Sequence, residues 1–120
     1  MLVKTWRKRP IYITSIVDRF LEHPRVMIFH NDGNEEVYIS SADWMTRNLD
    51  YRIEVGAQIL DDKVAERIKK IFELQEKDNR KARIIDALQS NNYVSSDKDA
   101  PKIRAQIAIH DYLKEVEKSL

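Results

Sequence analysis

The period of the hydrophobic and polar positions changes several times along the chain, and each change marks an element. Ile11-Tyr12-Ile13 is a short β-type run. Ser15 then stands as a helix N-cap with Asp18 three residues on, a variant of the capping box. Ile16, Val17, Phe20 and Leu21 share one helical face, and Pro24 disfavours helix at His23. His23 is therefore expected at the end of a short helix, next to a turn. Residues 26–29 and 37–40 read as two strands. Asn31-Asp32-Gly33-Asn34 between them predicts a β-hairpin with a loop longer than two residues. Residues 42–48 read as a helical turn or ordered loop. Residues 51–59 then alternate as a strand, with Ile53 and Val55 on one face and Arg52 and Glu54 on the other. Asp61 and Asp62 open a clear helix, where acidic residues suit the N-terminus. Its stripe of Val64, Ile68, Ile71 and Phe72 continues to about Lys77. Residues 82–88 are ambiguous between helix and strand. Residues 91–99 form a polar loop with a short candidate strand at Tyr93-Val94. Pro101 fits the first turn of a last helix, with Ile103, Ile107, Leu113 and Val116 on its buried face.

Strands interrupted by helices predict an α/β (α+β) class: a mixed sheet containing a β-hairpin, with flanking helices. The length of 120 residues suits one domain with a modest core. With 42% hydrophobic and 34% charged residues the chain is globular rather than disordered. A net charge of +1 gives no global pull toward nucleic acid or an anionic membrane. No nucleic-acid partner is expected, and any anion site must come from local placement of Arg and Lys. The absence of cysteine excludes disulfides and thiolate metal sites. No apolar run approaches the ~20 residues of a membrane span. The basic residues 1–9 are followed by no signal-peptide core. The expected compartment is the cytoplasm.

Candidate chemistry gathers between residues 19 and 52. Leu21-Glu22-His23-Pro24-Arg25 places a histidine two residues before an arginine. Ser40-Ser41-Ala42-Asp43-Trp44 is a small polar cluster just after a strand. Arg47 and Arg52 form a basic pair. Phosphoryl transfer depends on positioning and on stabilising charge spread over phosphoryl oxygens. Arginine pairs bidentately with phosphate and stays charged. Histidine suits proton transfer or direct attack because it titrates near neutrality. By spacing alone the plainer reading is favoured, in which His23 ends a helix and Arg25 is solvated.

The run from Ser15 through Asp18-Arg19-Phe20-Leu21-Glu22 to His23 resembles a stretch of bacterial polyphosphate kinases, the large type that works through a phosphohistidine. So does the string Val37-Tyr-Ile-Ser-Ser-Ala-Asp-Trp-Met-Thr-Arg-Asn-Leu-Asp-Tyr-Arg-Ile-Glu-Val55, which is long and distinctive. Lys81-Ala82-Arg83 and residues 102–109 look like the family's C-terminal end. The likeness covers roughly residues 13–118. It implies a phospholipase D-like half-domain in an enzyme that transfers the terminal phosphate of ATP reversibly onto inorganic polyphosphate, with magnesium. The phosphorylated histidine lies in an earlier domain, and no segment here matches it. His23 matches the family's second active-site histidine, a nucleotide-phosphate contact and candidate general acid or base. Arg25, Arg52 and Arg47 are the candidate ATP and phosphate ligands, and no metal ligand is assigned. His23-x-Arg25 followed by Ser41-x-Asp43 also looks like a drifted phospholipase D pattern, His-x-Lys then Ser-x-Asn. The implied partners are ATP or ADP, inorganic polyphosphate, the enzyme's other domains and, at full length, further copies of itself; the whole enzyme is a candidate for peripheral membrane association. Residues 1–12 do not resemble the family's upstream sequence and are expected to be an irregular lead-in. Residues 13–120 are expected to be part of the C-terminal domain. Pro24, His30 and Gln58 also depart from the family pattern. The chain is expected to be a piece of a longer enzyme and inactive alone.

Two other functions fit the same sequence. One is a non-catalytic polyanion-binding or assembly module. The other is a phospholipase D-like hydrolase half-site, against which Arg25 in the lysine place speaks. Among the remaining residues, Ser40, Ser41 and Asp43 are expected to bond the loop or orient a catalytic neighbour. Trp44 is expected as a core anchor rather than a base-stacking platform. His30 is expected at the surface and His110 in packing. The charged run 73–83 is expected to be a solvated helix face, with Arg80, Lys81 and Arg83 as an alternative basic channel wall.

Overall fold

A computed structural model describes residues 11–95 and 97–119. Most of the expected irregular lead-in, residues 1–10, lies outside the described residues. The architecture is mixed α and β, with two small sheets and two long helices. Strand β1 (Thr14–Ile16) pairs antiparallel with β5 (Ala82–Ile84), matching Ser15 to Arg83. Strands β2 (Val26–Phe29), β3 (Glu36–Ser40) and β4 (Gly56–Gln58) form the second sheet in that order, also antiparallel. The expected single mixed sheet is therefore corrected to two antiparallel ones.

The β2–β3 hairpin is as the turn sequence predicts. Val26 pairs with Ile39 and Phe29 with Glu36. The tip takes left-handed backbone at Asn31, Asp32 and Gly33 (φ 42°, 54° and 90°), which Asn, Asp and Gly adopt at least cost. At the open end, the Ser40 N–H donates to the Arg25 carbonyl at 2.9 Å, so register alone sets Arg25 against Ser40.

The helix expected after Ser15 is absent. Thr14, Ser15 and Ile16 extend instead, as a β-branched run permits, and no helix forms between Val17 and Arg25. An isolated helix this short is unstable, and tertiary bonds take its backbone. The Gln106 amide brackets Phe20: Nε2 donates to the Phe20 carbonyl at 2.7 Å, and Oε1 accepts from its N–H at 3.2 Å. His23 therefore lies in an extended approach to β2, not at a helix end.

The expected strand 51–59 is also shorter than read. Helix α1 (Thr46–Tyr51) occupies its start, and Arg52 caps that helix in extended conformation. Helix α2 (Asp62–Glu76) follows as expected, capped by the Asp61 carboxylate, which accepts from the Val64 N–H at 3.0 Å. Lys69 on α2 bonds Glu35 at 2.8 Å and ties the helix to the hairpin.

Helix α3 (Ala105–Lys118) starts later than Pro101, and its phase differs from the expected one. Ala105 and Ile109 are buried, whereas Ile107 and Leu113 are largely exposed. The cause is Asp78, a fully buried carboxylate. Its Oδ1 accepts from the N–H groups of Arg80, Lys81 and Ala82 at 2.9, 2.6 and 3.0 Å, and its Oδ2 from Ala105 N–H at 2.7 Å. Asn79 adds bonds to Ile103 N–H and the Pro101 carbonyl. These contacts fix where α3 begins and which face it turns inward. Residues 73–83 are thus not one solvated helix face. The described core is small: Val37, Ala82, Ala105 and Ile109. No described helix is long and apolar enough to cross a membrane.

Candidate functional site

Three side chains from the two ends of the hairpin meet. Arg25 Nε donates to Asp43 Oδ1 at 2.7 Å. His23 Nε2 lies 3.1 Å from the same oxygen and 3.0 Å from Arg25 Nη2. A 3.5 Å approach of Nη2 to His23 Nδ1 is at the limit of a hydrogen bond. His23 and Arg25 precede β2, and Asp43 follows β3, so the sheet register brings together residues 18 and 20 positions apart. Sequence reasoning named His23 and Arg25 as the site and left Asp43 between loop bonding and orienting a neighbour. The structure places Asp43 against both.

Exposure divides their roles. The Arg25 and Asp43 side chains are about three-quarters buried, whereas that of His23 is 65% exposed. The Arg25 hydrogen bond pulls the Asp43 carboxyl down to about 2; partial burial opposes this and the His23 contact adds to it. The same bond raises Arg25. Asp43 therefore stays ionised under any ordinary condition. His23 Nε2 faces an acceptor and a donor at once. With a proton it donates to Asp43, and without one it accepts from Arg25.

A second carboxylate backs the first. Glu54 accepts from Ser41 Oγ and, at 2.7 Å, from Asn48 Nδ2. These two bonds hold its carboxyl below the usual range against partial burial, helped by the Arg52 and Arg25 charges. Ser41 Oγ also accepts from Val55 N–H at 3.0 Å, and Ser40 Oγ from Ala42 N–H at 3.0 Å. Ser40 and Ser41 thus bond the loop as expected. Asn48 is buried, and its Oδ1 has no partner among the described residues. Glu54 and Asn48 were missed from sequence; only the polar alternation at Glu54 hinted at a role.

Arg52 lies near Glu54 at the end of α1, exposed. Arg47 is exposed on α1. The contacts joining His23, Arg25 and Asp43 include neither of them. Trp44 is 89% exposed, not a core anchor. It edges a cleft of about 410 Å³ with Pro24, Arg25, Met27, Asp43 and Leu49. His30 is at the surface as expected. His110 is exposed, contrary to its expected packing role, because α3 is turned by its Asp78 anchor. Arg83 is engaged with Tyr93, 4.0 Å above its ring, and is not presented as a channel wall. Among the described residues no three His, Cys, Asp or Glu side chains gather to hold a metal ion.

The family model described as polyphosphate kinase C-terminal domain 2 matches residues 5–106. The polyphosphate kinase of Vibrio parahaemolyticus is 57% identical over 108 residues, covering 90% of this chain and 15% of that protein. That of Escherichia coli strain K12 is 53% identical over 103 residues, covering 86% and 15%. Among solved structures, polyphosphate kinase from Porphyromonas gingivalis superposes with a TM-score of 0.87 at 47% identity, over 93% of this chain and 17% of that one. The chain spans about 15% of the length of these curated relatives.

Proposed function

The chain belongs to the polyphosphate kinase C-terminal domain family, and from that premise we propose that it supplies part of the active site of an ATP:polyphosphate phosphotransferase. The full enzyme moves the terminal phosphate of ATP reversibly onto inorganic polyphosphate through a phosphohistidine carried by another of its domains. His23 is the supporting histidine: it contacts phosphate and acts as proton donor or acceptor. Arg25 binds phosphate beside it through guanidinium donors that Asp43 leaves unused. Arg52 and Arg47 are outer phosphate contacts, with Glu54 keeping Arg52 near the site. The half-domain is of the phospholipase D-like kind, in the cytoplasm.

One observation carries this reading most directly. An exposed histidine stands against an arginine and an ionised carboxylate that both line a cleft. That arrangement offers donors to an incoming phosphate and a ring that can donate or accept a proton. The residues described do not fit a resident magnesium site, so no step is assigned through the metal, which arrives with nucleotide.

The test is to incubate the chain with ATP, magnesium and polyphosphate, then to repeat the assay in the full-length enzyme with and without His23→Ala. The chain alone should show no turnover, and the substitution should abolish most of the full-length activity. Robust turnover by the chain, or an unaffected His23→Ala enzyme, would overturn the proposal. Salt-sensitive polyphosphate binding with an unaffected enzyme would point to a polyanion-binding module instead.

A further inference from the structure

We infer that Asp43 is the positioning residue of His23, holding the ring by Nε2 so that Nδ1 is the nitrogen presented to phosphate. This rests on the phosphate-site reading of His23 and extends it to a residue and an atom. The Asp43 carboxylate cannot swing freely. Its Oδ1 is tied to Arg25 Nε at 2.7 Å, and the side chain is only 23% exposed. Arg25 in turn is set by the strand that follows it, through the Ser40 N–H to Arg25 carbonyl bond. The exposed His23 ring, reached from an extended segment without helix or strand of its own, is held at Nε2, 3.1 Å from Asp43 Oδ1 and 3.0 Å from Arg25 Nη2, whereas Nδ1 meets only Arg25 Nη2 at 3.5 Å, the limit of a hydrogen bond.

A carboxylate on one imidazole nitrogen fixes the ring's orientation and favours the proton on that nitrogen. The protonated ring then donates Nε2–H to Asp43 and offers Nδ1–H outward. In acid catalysis the Nδ1 proton passes to a phosphate oxygen. The ring is left neutral, with Nε2–H still on Asp43. In the reverse direction Nδ1 recovers the proton. The ring need not rotate between the two states.

The test uses the full chain with 15N-labelled histidine rings, following His23 Nε2 and Nδ1 across pH, with inorganic tripolyphosphate as probe. The expected result is that Asp43→Asn moves the proton of the neutral His23 ring from Nε2 toward Nδ1 and that Asp43→Glu restores the wild-type preference. Backbone amide spectra should stay folded in both variants. Tripolyphosphate should perturb Nδ1 and spare Nε2, and its affinity should fall roughly tenfold or more in Asp43→Asn. A folded Asp43→Asn chain with an unchanged His23 tautomer overturns the inference, as does tripolyphosphate acting on Nε2. If tripolyphosphate perturbs neither nitrogen while Asp43→Asn still moves the ring proton, the phosphate-site reading fails and the positioning by Asp43 stands. Should Asp43→Asn unfold the chain, the Asp43→Glu tautomer and the wild-type Nε2 signal with its carboxylate partner decide the same question.

Discussion

Asp78 Oδ2 accepts the first amide of helix α3, Ala105 N–H, at 2.7 Å across 27 residues of sequence. The same carboxylate caps three consecutive amides leading into β5. One buried side chain therefore joins the end of α2, the β1–β5 sheet and the last helix. Asp78→Ala leaves four N–H groups without their partner in a dry site. Each orphaned donor costs about 1–3 kcal/mol, so a loss above about 3 kcal/mol is expected. Urea denaturation followed by circular dichroism measures it. A loss below about 1 kcal/mol would show that water replaces the carboxylate.

Acid should loosen the molecule in a defined window. The Asp18 side chain is buried against Arg104, whose Nε and Nη2 reach its two oxygens at 2.8 and 2.5 Å. That pairing lowers Asp18 to about 2, and Asp43 stands at about 2 through Arg25. Burial pushes Asp78 up, but its four amide bonds prevail and leave it below the ordinary aspartate value. Carboxyls that are lower in the folded state stabilise it fully above the unfolded value near 3.8. They lose that contribution as pH falls toward about 2. The thermal midpoint should thus be level above pH 5 and drop steeply below about pH 4. Asp18→Asn should reduce that drop while lowering the midpoint at neutral pH.

Arg25→Lys separates charge from geometry. Lysine keeps the positive charge but cannot hold Asp43 and meet phosphate through one planar fork. Tripolyphosphate affinity measured by calorimetry should fall about tenfold. Affinity equal to wild type would mean that only net charge matters there.

Trp44 is nearly fully exposed, so Trp44→Ala should change folding stability by less than about 0.5 kcal/mol. A larger loss in chemical denaturation would restore the core-anchor reading.

Much of the fold follows from local signals. The hairpin and α2 are set by turn residues, strand alternation and a capping aspartate, all of which act over a few residues. The segment after Ser15 misleads because its partners, Arg104 and Gln106, lie 86 residues away. Asp78 is hidden for the same reason. In a charged run it looks solvated, and only the fold reveals the amides it serves. At the site, His23 and Arg25 are legible as residues that phosphate chemistry favours. Asp43 gains its role from strand register, which a linear reading of the loop cannot supply. Trp44 misleads because aromatic size usually signals burial, and here the side chain lies at a cleft rim.

The hairpin that closes the site has its turn at the opposite end. His23, Arg25 and Asp43 gather where the strands open, clamped by Ser40 to Arg25, while the 31–33 tip lies beyond the other end of strands that are themselves about 10–13 Å long. Length added at the tip extends the loop without altering the pairing of Val26 with Ile39. The tip is therefore a port: an affinity tag or a dye-bearing loop could be grafted between Asp32 and Asn34 while the three site residues keep their spacing. One residue inserted inside either strand would instead turn alternate side chains to the wrong face. Tolerance to insertion should thus change abruptly within a few residues of one short hairpin.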